Sequence, residues 1–85
     1  MKIRRIGIVG YDGVQALDIA GPADVFSLAN VMLARKTPAY EVVLLAATKG
    51  PISTESGIAF YAHTTIARCG LLDTIILPGG GAVRE

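Results

Sequence analysis

The sequence has no tryptophan, one cysteine and one histidine. The lone Cys69 excludes an internal disulfide and offers no CxxC pair for a metal or redox motif. A lone His63, without a second histidine, cysteine or acid at ligand spacing, predicts no metal site and reads as structural or solvent-exposed. Charge is also sparse. Charged residues make up 18% of the chain and the net charge is +1, which gives no electrostatic pull toward nucleic acid or an anionic membrane. The bases Lys2, Arg4, Arg5, Arg35 and Lys36 are scattered and read as solvated faces and helix ends. No apolar run approaches the ~18 residues of a membrane span. No signal peptide is expected, because Met1 leads directly into strand-like sequence. The expected compartment is the cytoplasm, with no membrane partner.

What remains is a globular composition, 52% hydrophobic over 85 residues. That is room for one small domain, and little for a sheet covered on both faces. Ile3–Val9, Tyr40–Ala47 and Asp73–Leu77 are rich in isoleucine, valine and leucine and predict three buried strands. Tyr11-Asp12-Gly13 is turn chemistry, and Val14–Ala20 is a mixed stretch with at most one irregular helical turn. Gly21-Pro22 predicts a helix start, with proline at the first position and the helix running from about Pro22 to Ala34. Gly50–Tyr61 predicts a small β-ribbon around Glu55-Ser56-Gly57. Thr64–Cys69 predicts a short helix capped by Thr64 or Thr65. The alternation implies an α/β fold with parallel strands in the order 2-1-3.

In such sheets the ligand crevice lies beyond the carboxyl ends of the strands, where strand order reverses. Two loops are expected to meet there. The first carries Asp18 between Leu17 and Ile19. A carboxylate among apolar neighbours is suited to exchange a proton; the alternative is a helix cap or a surface acid. The second is Gly79-Gly80-Gly81, whose bare backbone N–H groups either bind an anionic or polarised ligand atom or simply form a tight turn. A nucleotide site is not expected. Gly7, Gly10 and Gly13 are spaced GxxGxxG, strand two ends without a ribose-binding acid, and no phosphate loop is present. No cofactor is expected. Cys69 stands before a strand rather than on a strand-to-helix elbow, so it reads as a structural thiol.

The run from Tyr11 through Leu17-Asp18-Ile19-Ala20-Gly21-Pro22 to Val25-Phe26 resembles the opening of the ThiJ/PfpI branch of class I glutamine amidotransferase-like domains. Thr54-Glu55-Ser56-Gly57-Ile58 resembles its ribbon, and Leu72–Gly81 its third strand and glycine turn. The resemblance spans essentially the whole chain. It implies a three-layer flavodoxin-like parallel sheet with a ribbon insertion, residues 1–85 forming the N-terminal part of one such domain. Two groups share the Leu-Asp-x-x-Gly-Pro loop: isocyanide hydratases, and the N-terminal domains of AraC-type transcriptional regulators. Phe26–Asn30 and the ribbon look more like the regulators. The resemblance implies that Asp18 matches the acid facing the hydratases' nucleophile, and that Gly79 and Gly80 match the turn supplying an oxyanion N–H. The nucleophile elbow is expected beyond residue 85, so the chain itself is not expected to catalyse. Under the regulator reading the partners are a small-molecule ligand and, through a C-terminal domain, DNA. A homodimer is expected because three core strands leave an apolar edge and an uncovered face.

Overall fold

A computed structural model describes residues 2–79. Its main sheet has four parallel strands, β1 (Arg4–Val9), β2 (Tyr40–Ala46), β5 (Thr64–Thr65) and β6 (Thr74–Ile76), in the order β5-β2-β1-β6. The predicted 2-1-3 order of the three core strands is therefore present. The register pairs Ile8 with Leu44 on one side and with Ile76 on the other. The two-residue β5 adds an unpredicted edge, pairing Thr64 and Thr65 with Leu45 and Ala46.

The long helix α1 spans Ala16–Leu33, which corrects the predicted start at Pro22. Pro22 lies inside the helix, and Asp18 is in its first turn rather than in a loop. Gln15 precedes the helix in an extended conformation and makes no side-chain cap, so no sequence signal marks the start. Pro22 forfeits the N–H that would have reached the Asp18 carbonyl. The helix closes with Ala34 in the left-handed region at φ 51°, its N–H donated to the Asn30 carbonyl. Asn30 then fixes the start of β2: its side-chain amide donates to the Tyr40 carbonyl and accepts from the Tyr40 N–H. The Phe26 and Tyr40 rings tilt together at 4.9 Å.

By length and composition α1 is apolar enough to cross a membrane, which the short apolar runs did not suggest. In the structure it packs on the sheet instead. Ile19 is buried against Ile8, Leu44 and Ala46, with Ala23 beside them, and Val14, Ile52 and Ala62 complete this core. Burying a side chain such as Ile8 contributes roughly 1.5–3 kcal/mol.

The ribbon forms as predicted, with β3 (Gly50–Ser53) antiparallel to β4 (Ala59–Ala62). Its turn is held by buried Thr54, whose N–H and hydroxyl both donate to the Ile58 carbonyl. Gly57 takes φ 93°, which an L side chain rarely adopts. The predicted short helix is smaller than expected: a single 3-10 turn at Ile66–Arg68, with the Thr65 hydroxyl accepting from the Arg68 N–H. From there the chain returns to β6 over the sheet face opposite α1, where Leu72 packs against Gly7.

Candidate functional site

Strand order reverses at β1, because α1 leads from β1 to β2 and the next crossover leads back to β6. The predicted crevice therefore falls where the chain leaves β1 and β6 side by side. The structure joins these two exits directly. The Tyr11 hydroxyl donates to the Pro78 carbonyl at 2.7 Å, and Pro78 is buried.

The loop after β1 is also laced to the ribbon. The Ser53 N–H donates to the Asp12 carboxylate at 3.0 Å, the Gly13 N–H to the Ser53 carbonyl, and the Glu55 N–H to the Val14 carbonyl. Asp12 lies in the turn expected for it, while its carboxylate, bonded to Ser53 rather than within the turn, anchors the ribbon over the carboxyl end of β1. Two clefts open at this edge. One, of about 330 Å³, is lined by Gln15, Ala16, Leu17, Glu55 and Ser56 beside the start of α1. The other, of about 200 Å³, lies between the ends of β1 and β2 and includes Gly10, Tyr11, Asp12 and Thr48.

Asp18 is half-buried in the first turn of α1, and its N–H donates to the Gln15 carbonyl. Among the described residues no donor reaches its carboxylate. It lines neither of the two clefts. Gly79 is exposed directly after buried Pro78, and an added Cβ there would meet open space. Gly80, the other glycine predicted to bind, lies outside the described residues, as do Gly81 and the helix expected after it. Among the described residues no hydrogen bond joins Asp18 to Gly79; the two loops are linked through Tyr11. Sequence reasoning passed over Tyr11 because its partner is a backbone carbonyl far along the chain. It also passed over Glu55, although the Thr54–Ile58 motif was in view.

His63 is solvent-exposed and also ties down β2: its Nδ1 accepts from the Leu44 N–H, and its own N–H donates to the Leu44 carbonyl. Cys69 is half-buried, and its thiol donates to the Ile66 carbonyl at 3.3 Å. It belongs to the sheet face opposite α1, in an apolar groove of about 480 Å³ with Val9, Leu45, Leu72 and Ile75. Its carbonyl accepts from the Arg5 guanidinium at 2.5 Å, which ties it toward the amino end of the sheet, away from the crevice. Among the described residues no cluster of three metal-ligating side chains occurs.

No family model matches the chain. Two curated proteins do. An uncharacterised protein of Streptomyces lividans, from the cpoL 5′ region, is 32% identical over 79 residues, which is 93% of this chain and 53% of that protein. The isonitrile hydratase of Pseudomonas putida is also 32% identical over 79 residues, 31% of its length. The chain thus spans about half or less of the curated relatives it matches. Among solved structures, a ThiJ/PfpI family protein from Pseudomonas syringae superposes with a TM-score of 0.76 at 22% identity, covering 94% of this chain and 30% of that one. An AraC family transcriptional regulator from Pseudomonas putida gives 0.75 at 19% identity, covering 91% and 47%. The chain has the fold of the ThiJ/PfpI and DJ-1 superfamily, as its sequence motifs imply, and its sequence is related to that of an isonitrile hydratase.

Proposed function

We propose that the carboxyl edge of the sheet is one wall of a small-molecule site, bounded by Asp18 and the β1 loop on one side and by Gly79 and the glycine turn on the other. The observation that carries this reading is the Tyr11–Pro78 hydrogen bond, which couples the two loops at the point where strand order reverses. Asp18 supplies a half-buried carboxylate at the same end of the sheet, and the backbone after Pro78 is bare of side-chain cover.

In the leading reading this wall belongs to a cytoplasmic sensor of the AraC regulator type. A bound metabolite favours one arrangement of the two loops, and that preference is passed to a DNA-binding domain elsewhere in the protein. Support comes from the fold shared with the Pseudomonas putida regulator.

The second reading is a cofactor-free hydratase. It is favoured by the 32% identity to the isonitrile hydratase over 93% of the chain. There the site would add water across an isonitrile, R–N≡C + H2O → R–NH–CHO. Asp18 would handle the proton, and an N–H of the glycine turn would face the developing charge.

Titrating the chain with a small alkyl isonitrile, while following backbone amide resonances, tests both readings. Saturable shifts at Tyr11, Asp18 and Gly79 support a ligand site at this edge, and formamide production by a longer protein carrying the expected nucleophile elbow would favour the hydratase. Shifts confined to the opposite groove at Leu71, Leu72 and Ile75 would sink the site.

A further inference from the structure

A gap stays open between α1 and the ribbon, on the sheet face they share. It measures about 480 Å³, within the ~300–1,000 Å³ range of small-molecule pockets. Its floor is the buried core at Ile8, Ile19 and Leu44. Half-buried Ala23, Val42 and Phe60 form its walls, and exposed Asp24, Tyr61 and His63 its mouth. The ribbon cannot sink into the gap, because it is tethered at both ends. At the turn, Ser53 is bonded to Asp12 and Gly13, and Glu55 to Val14. At the far end, the His63 N–H donates to the Leu44 carbonyl and the His63 Nδ1 accepts from the Leu44 N–H. Ala20 and Ala23 on α1 and Ala59 on β4 are too short to fill the space between.

The mouth is negative. Asp24 is the one residue of formal charge lining the gap, and among the described residues its carboxylate has no hydrogen bond or ion pair. An imidazole that accepts at Nδ1 is the neutral form, with its proton on Nε2, so His63 does not neutralise Asp24. Arg35 and Lys36 lie past the end of α1, roughly 15 Å further along its axis. Phe60 and Tyr61 add aromatic rings, whose faces attract a cation. A hydrocarbon body suits the floor and walls, and a positive group suits the mouth. An anion there would meet the Asp24 carboxylate.

We infer that this gap is a second ligand site, for a primary amine with a compact hydrocarbon body. The body sits over Ile8, Ile19 and Leu44, and the ammonium pairs with Asp24. The site lies on the sheet face rather than at the carboxyl edge, and does not depend on the Tyr11–Pro78 reading.

Cyclohexylmethylamine, cyclohexylmethanol and cyclohexanecarboxylate are matched probes for it, followed by the amide resonances of the chain. The amine should saturate near ~1 mM, with shifts at Ala20, Ala23, Leu44 and Phe60. It should bind about fivefold more tightly than the alcohol, the scale of an exposed ion pair, and the carboxylate should bind least. Cyclopentylmethylamine, one methylene smaller, should bind about threefold more weakly than the cyclohexyl amine. Asp24→Asn should erase the amine's advantage and leave the alcohol unchanged. Ala23→Leu grows into the gap and should weaken amine and alcohol alike by about tenfold. If it fails to fold, Ala59→Leu closes the gap from the exposed ribbon. An amine that does not saturate, that binds no better than the alcohol, or that binds Asp24→Asn equally well overturns the inference. So do shifts centred on Tyr11, Asp18 and Gly79, which would move the amine to the carboxyl edge. So does an amine affinity that falls as chain concentration rises, which would give the gap to a second copy.

Discussion

The two ends of the sheet are held by different chemistry. At the amino end, the Arg5 guanidinium reaches Glu41 on β2 at 2.7 Å, and the Cys69 and Leu71 carbonyls of the returning crossover at 2.5 and 3.1 Å. Its backbone exchanges a further pair of bonds with Asp73, which also pairs with Lys2 at 3.4 Å. At the carboxyl end, one neutral hydrogen bond from Tyr11 joins the exits of β1 and β6. Among the described residues the crossover is therefore clamped redundantly where no ligand is expected, and by this single bond where one is. A loop pair joined by one neutral bond can change spacing around a ligand at a cost of about 1 kcal/mol. The charged, multiply bonded end cannot.

Breaking the strong end should have the largest effect. Arg5→Ala removes an ion pair and the donor to two carbonyls, of which the Leu71 one is exposed and can turn to water, with an expected loss of about 2 kcal/mol in urea unfolding. Arg5→Lys should recover less than half of that, because an ammonium lacks the planar fork that meets Glu41 and the crossover together. Full rescue by lysine would show that charge alone closes this end.

Next comes packing at the other end. A Cβ at Gly10 would lie 2.5 Å from Ile52 Cδ1 and 3.3 Å from Leu44 Cδ1. Ile52 is buried, so Gly10→Ala must turn its Cδ1 aside within the packed core and strain the ribbon that carries it. The expected loss is about 1–2 kcal/mol. Amide exchange should rise in β3 and β4 while the Arg5 end stays protected, and uniform loss of protection would erase the contrast between the ends.

Tyr11→Phe should be milder, about 1 kcal/mol or less, and its effect should be local. Chemical-shift changes should cluster at Tyr11, Pro78 and Gly79, with affinity for the probe isonitrile altered. A silent substitution would leave the crevice without its coupling element.

Which parts of this were legible follows from range. β1 and β2 were readable because a strand buried on both faces must be apolar at consecutive positions; β6 was placed by the same rule but is an edge strand with Thr74 and Ile75 exposed, so its expected burial is corrected. The ribbon was readable because Gly57 and its flanking runs carry local turn chemistry. The start of α1 was not, because Gln15 caps nothing and the rule that places proline first in a helix pointed to Pro22. β5 was invisible because Thr64 and Thr65 become a strand only through Leu45 and Ala46. At the site, Asp18 and Gly79 were named by residue type and predicted position. Tyr11, which couples the loops, acts through the Pro78 backbone carbonyl beyond the end of a different strand, and no local pattern encodes that.

The smallest expected effect concerns pH at the amino end. The Asp73 carboxyl is held below its ordinary value of 3.8, first by the Arg5 backbone N–H it accepts and then by the Lys2 charge. A carboxyl depressed on folding stabilises the fold when ionised. Its contribution is complete above the unfolded value and is lost as pH falls through the folded one. Stability should thus be level above about pH 4 as far as Asp73 is concerned, and should decline below it. Asp73→Asn should flatten that acid limb without touching the Tyr11 end. Salt should trim only part of the effect, since it screens the exposed Lys2 pair and leaves the short backbone bond in place. An acid limb unchanged by Asp73→Asn would mean that the Arg5 guanidinium closes the amino end alone.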